Sequence, residues 1–378
     1  MRILVVADYF LPGCRAGGPI RSLKNFVQEF GRENEIYVVT RDRDFGDSAP
    51  YEIACADQWV DLAGSKVCYL DPSRQSGQTL RTIINDLKPD LVYLNSLFSP
   101  FSRRILMGAR AGQLHRFELL MDVGGEFNPG AMAIKPIRKR TFLMISGWLG
   151  WFRNVEFQAS SEIEEQFIRQ TFPTHSIHVA MDIPDAVLHQ PRSTCPRPVR
   201  FVFNSRVSPI KNIEVVLRAF ESLIRCGDGF DATLAVHGDT SDKAYEEVVQ
   251  SLARMCGDRI EFHGGYDHTE IWGILKHASF TVLPSRGENF AHSIYESAAA
   301  GVPLLISDRT PWTSIAQQGA GWVIDPDDTE GWTRRIGECL TISDEEYQKR
   351  SQSCIDSAKA VRKLAMAQHQ KLLAHLGE

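Results

Sequence analysis

The chain has 378 residues, which is long for a single hydrophobic core and leads us to expect two domains. Hydrophobic residues make up 43% and charged residues 24%, close to globular averages, which excludes disordered and fibrous classes. With 42 basic against 47 acidic residues the net charge is −5, which argues against a nucleic-acid partner for the protein as a whole and leaves only local basic patches to consider.

The first half alternates strand and helix patterns. Residues 3–7 form a continuous apolar strand of the kind buried on both faces. Gly17 and Gly18 follow it, and Pro19 suits the first position of a helix. Ile20, Leu23, Phe26, Val27 and Phe30 then share one helical face. Further strands are expected at 36–40, 67–70, 91–94 and 117–121, with helices at 79–87 and 102–111. Four prolines between residues 183 and 198 mark a linker. A second alternating set follows, with strands at 200–204, 233–237, 259–263, 280–284 and 303–307. Helices fit at 213–224, 242–255, 269–277 and 293–300, and the tail from 344 to 376 is mostly helical. Alternation of this kind predicts an α/β protein with parallel sheets, and ligands in such folds bind at the carboxyl ends of strands.

Eight scattered cysteines (14, 55, 68, 195, 226, 256, 339 and 354) contain no C-x-x-C pair and read as reduced thiols. The chain opens directly on a strand without the apolar core of a signal peptide, and no apolar run approaches the length that spans a bilayer. The histidines show no metal-type spacing. Asp42-Arg43-Asp44 and Asp325 to Asp328 read as solvated turn carboxylates, so no metal is expected.

Three segments point to chemistry. Gly17 and Gly18, between a strand and a helix, let a ligand phosphate approach the backbone, or simply make a tight turn. Arg206 and Lys211 leave a strand in a loop containing Pro209, where two cations can grip one diphosphate and stabilise its charge as it departs. Glu288 and Glu296 follow the strand at 280–284. If the residues between them are helical, eight steps separate them by roughly 12 Å along the axis, too far for a glycosidase pair. They suit a long ligand with phosphates and hydroxyl pairs, or else are two solvated glutamates. Separately, Lys135, Arg138, Lys139 and Arg140 precede an aromatic-rich apolar segment ending at Arg153. That is the composition of an interfacial, anionic-lipid-binding segment, or of a core helix with a solvated basic start.

The segment from Glu288 to Glu296 resembles the E-x7-E element of retaining glycosyltransferases of family four. Gly301-Val302-Pro303-Leu304-Leu305-Ile306-Ser307 fits the strand that follows it there. Arg206 with Lys211, and Gly17 with Gly18, match that family's diphosphate-gripping pair and glycine loop. The resemblance implies a GT-B fold: two Rossmann-like domains facing a cleft, an acceptor domain over residues 1–183, a donor domain over 184–355, and a last helix, 356–378, packing back on the first. It implies a metal-independent, retaining transfer from a nucleotide-sugar donor to a saccharide or lipid-linked acceptor, in a cytoplasmic or peripherally membrane-bound enzyme of surface-polysaccharide synthesis. Arg206 and Lys211 would hold the leaving diphosphate, Glu288 the donor sugar and Glu296 the ribose. The backbone of Asn289, Phe290 and Ala291 would meet sugar and diphosphate, with Gly264 and Gly265 near the base. Three departures stand out. Ala291 replaces the family's usual glycine, Gly124 stands where relatives often carry arginine, and where many members have a histidine after the fourth strand this chain offers Asp122 and Glu126 as the acceptor-side polar groups. An epimerase or hydrolase on the same fold, or a catalytically silent sugar-nucleotide binding protein, are the alternatives.

Overall fold

The computed structural model describes residues 1–54, 58–227, 231–240 and 242–377; Cys55, assigned above as a reduced thiol, lies outside them. The chain divides into two compact units, residues 1–184 with 364–378, and residues 185–363.

The first unit contains β1 (Arg2–Val6), β2 (Glu35–Arg41), β3 (Trp59–Leu62), β4 (Ser65–Leu70), β5 (Leu91–Asn95), β6 (Glu118–Asp122), β7 (Val155–Ala159) and β8 (Ile177–Val179). Its helices are α1 (Gly18–Phe30), α2 (Gly77–Leu87), α3 (Pro100–Arg110), α4 (Pro129–Ala133), α5 (Pro136–Trp148) and α6 (Glu162–Thr171). The sheet order is β3-β4-β2-β1-β5-β6-β7-β8. Every pairing is parallel except that of β3 with β4. β1 shows why its sequence is apolar throughout: Ile3 and Val5 enter one core cluster, Leu4 and Val6 the other. Leu23, Phe26, Val27 and Phe30 of α1 fill the first cluster, as their spacing predicts. Fully burying each such side chain is worth about 1.5–3 kcal/mol.

The second unit contains β9 (Val199–Asn204), β10 (Ala232–His237), β11 (Ile260–Gly264), β12 (Phe280–Leu283), β13 (Leu304–Ser307) and β14 (Gly321–Ile324). Around them lie α7 (Ile213–Arg225), α8 (Lys243–Met255), α9 (Ile271–Lys276), α10 (His292–Ala299), α11 (Thr313–Ile315), α12 (Thr329–Leu340) and α13 (Asp344–Leu376). The order β11-β10-β9-β12-β13-β14 is wholly parallel. Relative to the first strand, β9, this is the doubly wound order 3-2-1-4-5-6, whose winding reverses between β9 and β12. In α13 the residues from Leu364 onward belong to the first unit, where Leu372, Leu373 and Leu376 join its core.

The proline-rich linker carries no helix or strand from residue 180 to 198, yet it is anchored. The Arg192 guanidinium donates to the carbonyls of Leu275, Ala278 and Ala300, and the Cys195 amide donates to Asp344. Among the described residues no disulfide forms, and no helix is long and apolar enough to cross a membrane.

Candidate active site

In the second unit the loops after β9 and β12 lie side by side because their parent strands pair directly. They are also bonded to each other. The carbonyl of Ile210 accepts from the Arg286 amide at 2.7 Å and from the Ser285 hydroxyl at 3.1 Å. Ser285 is fully buried, and the Ser307 hydroxyl donates in turn to the Ser285 carbonyl. Asn212 takes a left-handed φ of 54°, and its side chain donates to the Pro326 carbonyl at 2.7 Å, which fixes the exit from the β9 loop.

This double loop brings Lys211 and Glu288 together across 2.5 Å, with side chains only 14% and 7% exposed. Arg206 stands exposed on the same loop, with no ion pair among the described residues. Glu288 does not sit at the helix entrance. α10 begins at His292, so the residues after Glu288 are loop and the helical spacing of roughly 12 Å does not apply. Glu296 is on α10, 1% exposed, and its carboxylate is 2.7 Å from the His268 Nε2. His268 belongs to a short turn closed by a reciprocal cap between Asp267 and Glu270. That D-x-x-E spacing is visible in the sequence as a turn signal, but nothing in it points to Glu296.

Gly264 ends β11 and Gly265 follows it. The Gly265 amide donates to Asp239 at 2.8 Å, and the Gly238 amide donates to the Gly264 carbonyl at 2.7 Å. His237 and His263 stack at 4.4 Å beside them, with Tyr266 edge-on to His237. Burial, then the neighbouring His263, lowers the His237 pKa to about 4, so this ring is neutral near pH 7. Asn289 lies between the Glu288 pair and Phe290, whose ring packs on Trp312 while its carbonyl accepts from the Trp312 indole at 2.6 Å.

In the first unit Gly17 has φ 75° with open space where a side chain would be, and Gly18 starts α1. The loop before them is held by Asp44, whose carboxylate accepts from the Cys14 amide at 2.8 Å and the Arg15 amide at 3.1 Å. Asp42 and Asp44 are buried, not solvated turn residues as expected from their sequence context. Asp44 thus shapes the glycine loop, a role that no motif in the sequence signals. Asp122, at the end of β6, is also buried and accepts from Asn95 at 2.8 Å. Burial first, then the nearby Asp182 and Glu164, raise its pKa well above the ordinary carboxylate range.

Glu126 accepts from the Ser96 hydroxyl at 2.5 Å and the Leu97 amide at 2.7 Å. Burial raises its pKa to about 7, against the opposing pull of those bonds. Its folded pKa exceeds the unfolded value, so the folded state holds the extra proton between about pH 4.5 and 7. Stability therefore falls as pH rises through that window, by up to about 3 kcal/mol at 1.36 kcal/mol per unit. Glu126→Gln is expected to flatten the decline in Tm between pH 5 and 7, measured by calorimetry; an unchanged decline would assign it to other groups.

The profile of the family described as glycosyl transferases group 1 matches residues 191–361, inside the second unit. The match covers under half of the chain, so it is the second unit that is similar to this family. A curated relative, the GDP-mannose:cellobiosyl-diphosphopolyprenol alpha-mannosyltransferase of Komagataeibacter xylinus, is 28% identical over 224 residues, 57% of this chain and 54% of that protein. The chain thus spans no more than about half the length of that relative. Among solved structures, the sucrose-phosphate synthase of Thermosynechococcus elongatus aligns over 100% of this chain and 99% of its own with a TM-score of 0.75 at 14% identity. Anabaena HepE in complex with UDP and glucose aligns over 100% and 99% with a TM-score of 0.71 at 15% identity. These likenesses establish the fold: two Rossmann-like parallel-sheet domains of the GT-B type.

Within this second unit Ala291 has φ 63° and ψ 69°, the left-handed region, immediately before α10. The conformation explains a glycine at this position, because a Cβ there costs about 1–2 kcal/mol. Ala291→Gly is expected to stabilise the domain by about 1 kcal/mol and raise Tm by about 2–4 °C. A lower Tm by calorimetry would show that the methyl contributes packing that outweighs the strain.

Proposed function

We propose that the protein transfers a sugar from a nucleoside-diphosphate sugar with retention of configuration and without a metal at the reacting centre. The observation that carries this reading is the enclosed Lys211–Glu288 pair at the reversal point between β9 and β12, where doubly wound sheets bind ligands. Lys211 and Arg206 take the donor diphosphate, and their charge stabilises the oxyanion that grows as the glycosidic bond breaks. Glu288 accepts hydrogen bonds from donor-sugar hydroxyls. Glu296, held by His268, accepts them from the ribose diol. A leaving phosphate oxygen takes the acceptor proton on the face where the new bond forms, so no separate protein base is needed. The backbone at Asn289, Phe290 and Ala291 faces the sugar and diphosphate, and Gly264 and Gly265 leave room for the base.

A thermal-shift panel of nucleoside diphosphates and their sugars tests the donor assignment. A ligand that binds the folded state alone stabilises it by about 2.7 kcal/mol at a hundredfold excess over Kd. A raised Tm with one base identifies the donor, and no response to any member of the panel would overturn the reading. Conversion of a bound sugar without an acceptor would instead identify an epimerase.

The acceptor is proposed to be a saccharide on a lipid carrier, met at an anionic membrane surface. α5 turns Phe142 and Leu143 onto the core but leaves Ile137, Met144 and Trp148 at 80%, 69% and 87% exposed. These positions fall on one helical stripe. A groove of about 380 Å3 meets it at Ile137 and is lined further by Phe142, Ile145 and Trp151 among others. Lys135, Arg138 and Arg140 are exposed on the same segment. The name of the mannosyltransferase relative gives a diphosphopolyprenol-linked acceptor for that protein, which is the same class of substrate.

A further inference from the structure

We propose that Glu156, His178 and His375 form a binding site for a divalent transition-metal ion of the zinc type, which ties the end of α13 to the sheet of the first domain. Glu156 comes from β7, His178 from the edge strand β8, and His375 from the last turn of α13. Their spacing in sequence gives no metal signal, because one histidine stands at position 178 and the other at 375, near the end of the chain. Folding nevertheless brings one ligand atom from each within 4.8 Å of the others.

The geometry suits an ion. Both imidazole Nε2 atoms converge on the same Glu156 oxygen, at 2.5 Å for His178 and 3.3 Å for His375. A tetrahedral ion with bonds of about 2.0–2.1 Å places neighbouring ligand atoms about 3.3 Å apart. The His375–Glu156 spacing already has that value. The His178–Glu156 hydrogen bond must open by a rotation of side chains that are 26% and 22% exposed, and His375 is 52% exposed, so solvent can supply both the ion and a fourth ligand. Two imidazoles and one carboxylate are the donor set of open zinc sites, and they favour zinc, cobalt, nickel or copper over magnesium and calcium. The cluster shares no residue with the donor-binding loops, so its role is to hold structure. His375 follows Leu372 and Leu373, whose burial already docks this end of the helix, and a bond to β7 and β8 adds a polar tie beside that apolar contact.

The test uses the full chain without a histidine tag, freed of metal with a chelator and titrated with zinc chloride by calorimetry. One equivalent is expected to bind, with affinity reduced at least about tenfold in His375→Ala and in His178→Ala. Zinc is expected to raise the Tm of the wild type but not of His375→Ala. His375 is exposed, so this variant should keep its fold, which circular dichroism checks. Cobalt(II) is expected to give ligand-field bands without a thiolate charge-transfer band, which separates this site from adventitious binding at Cys14 or Cys226. No zinc binding, equal affinity in wild type and both histidine variants, or a thiolate band would each overturn the proposal and leave a hydrogen-bonded histidine–glutamate cluster.

Discussion

Lys211→Ala is expected to lower kcat/KM by about 10²–10³-fold, the loss that follows removal of one group aimed at developing negative charge. Lys211 and Glu288 are drawn out of water together, at 14% and 7% exposure, and each is the other's counter-charge across 2.5 Å. Removing one partner leaves the other charge enclosed and unpaired, an arrangement that costs about 3–5 kcal/mol when fully buried and less here. Activity and stability must therefore be measured together. Lys211→Met and Glu288→Gln keep the shapes of the side chains, and the double variant Lys211→Met/Glu288→Gln removes both charges. If the pair only holds the loops, the double variant should recover activity as it recovers stability. If the pair handles the donor, the double variant should regain Tm relative to Lys211→Met while its turnover stays as low as the worse single variant. Near-normal turnover in Lys211→Ala would refute the donor assignment.

The elements legible in the sequence are those whose pattern is set by burial on both sides or along one stripe. β1 and β9 are apolar because both faces meet helices, and α1 and α7 show their buried stripe directly. β8 has three residues, all half-buried, and β3 is an edge strand with two exposed positions, so neither carries a period that separates it from a loop. β7 is hidden in the sequence although it is buried, because five residues after a basic, aromatic segment look like its continuation. α12 announces itself only through Asp328, whose side chain caps it.

The β9 and β12 loops are legible for a different reason. Lys211 and Glu288 each follow an apolar strand, and the fold puts ligands at such ends. Their pairing is not legible, because it depends on β9 and β12 being neighbours although the two residues lie far apart in sequence. The His268–Glu296 contact and the grip of Asp44 on the glycine loop depend on tertiary placement in the same way. The left-handed backbone at Ala291 is one that favours glycine, so the alanine there carries a measurable strain.

The basic-aromatic segment is sharpened most by the structure, and it yields the second large expected effect. Four basic residues read alike in the sequence, but Lys139 is turned inward. Its ammonium lies 4.7 Å from the Phe98 ring centre and donates to the Ala131 carbonyl at 2.9 Å. Lys135, Arg138 and Arg140 remain exposed beside Ile137, Met144 and Trp148. Each basic residue near an anionic surface contributes about 1 kcal/mol, so Lys135→Gln/Arg138→Gln/Arg140→Gln is expected to weaken partition onto phosphatidylglycerol-containing vesicles by about 10²-fold. Lys139→Gln should change partition by less than about twofold while lowering Tm, because its charge serves the fold. On neutral phosphatidylcholine vesicles the triple variant should match the wild type, and Trp148→Ser should weaken binding to both lipids, since the apolar stripe acts without regard to headgroup charge. Salt should mimic the triple variant, as screening shortens the reach of the exposed charges. Co-sedimentation of the triple variant with anionic vesicles at the wild-type level would overturn the electrostatic part of this reading. Loss of binding in Lys139→Gln equal to that of the triple variant would show that the attraction depends on the shape of α5 and not on its exposed charge.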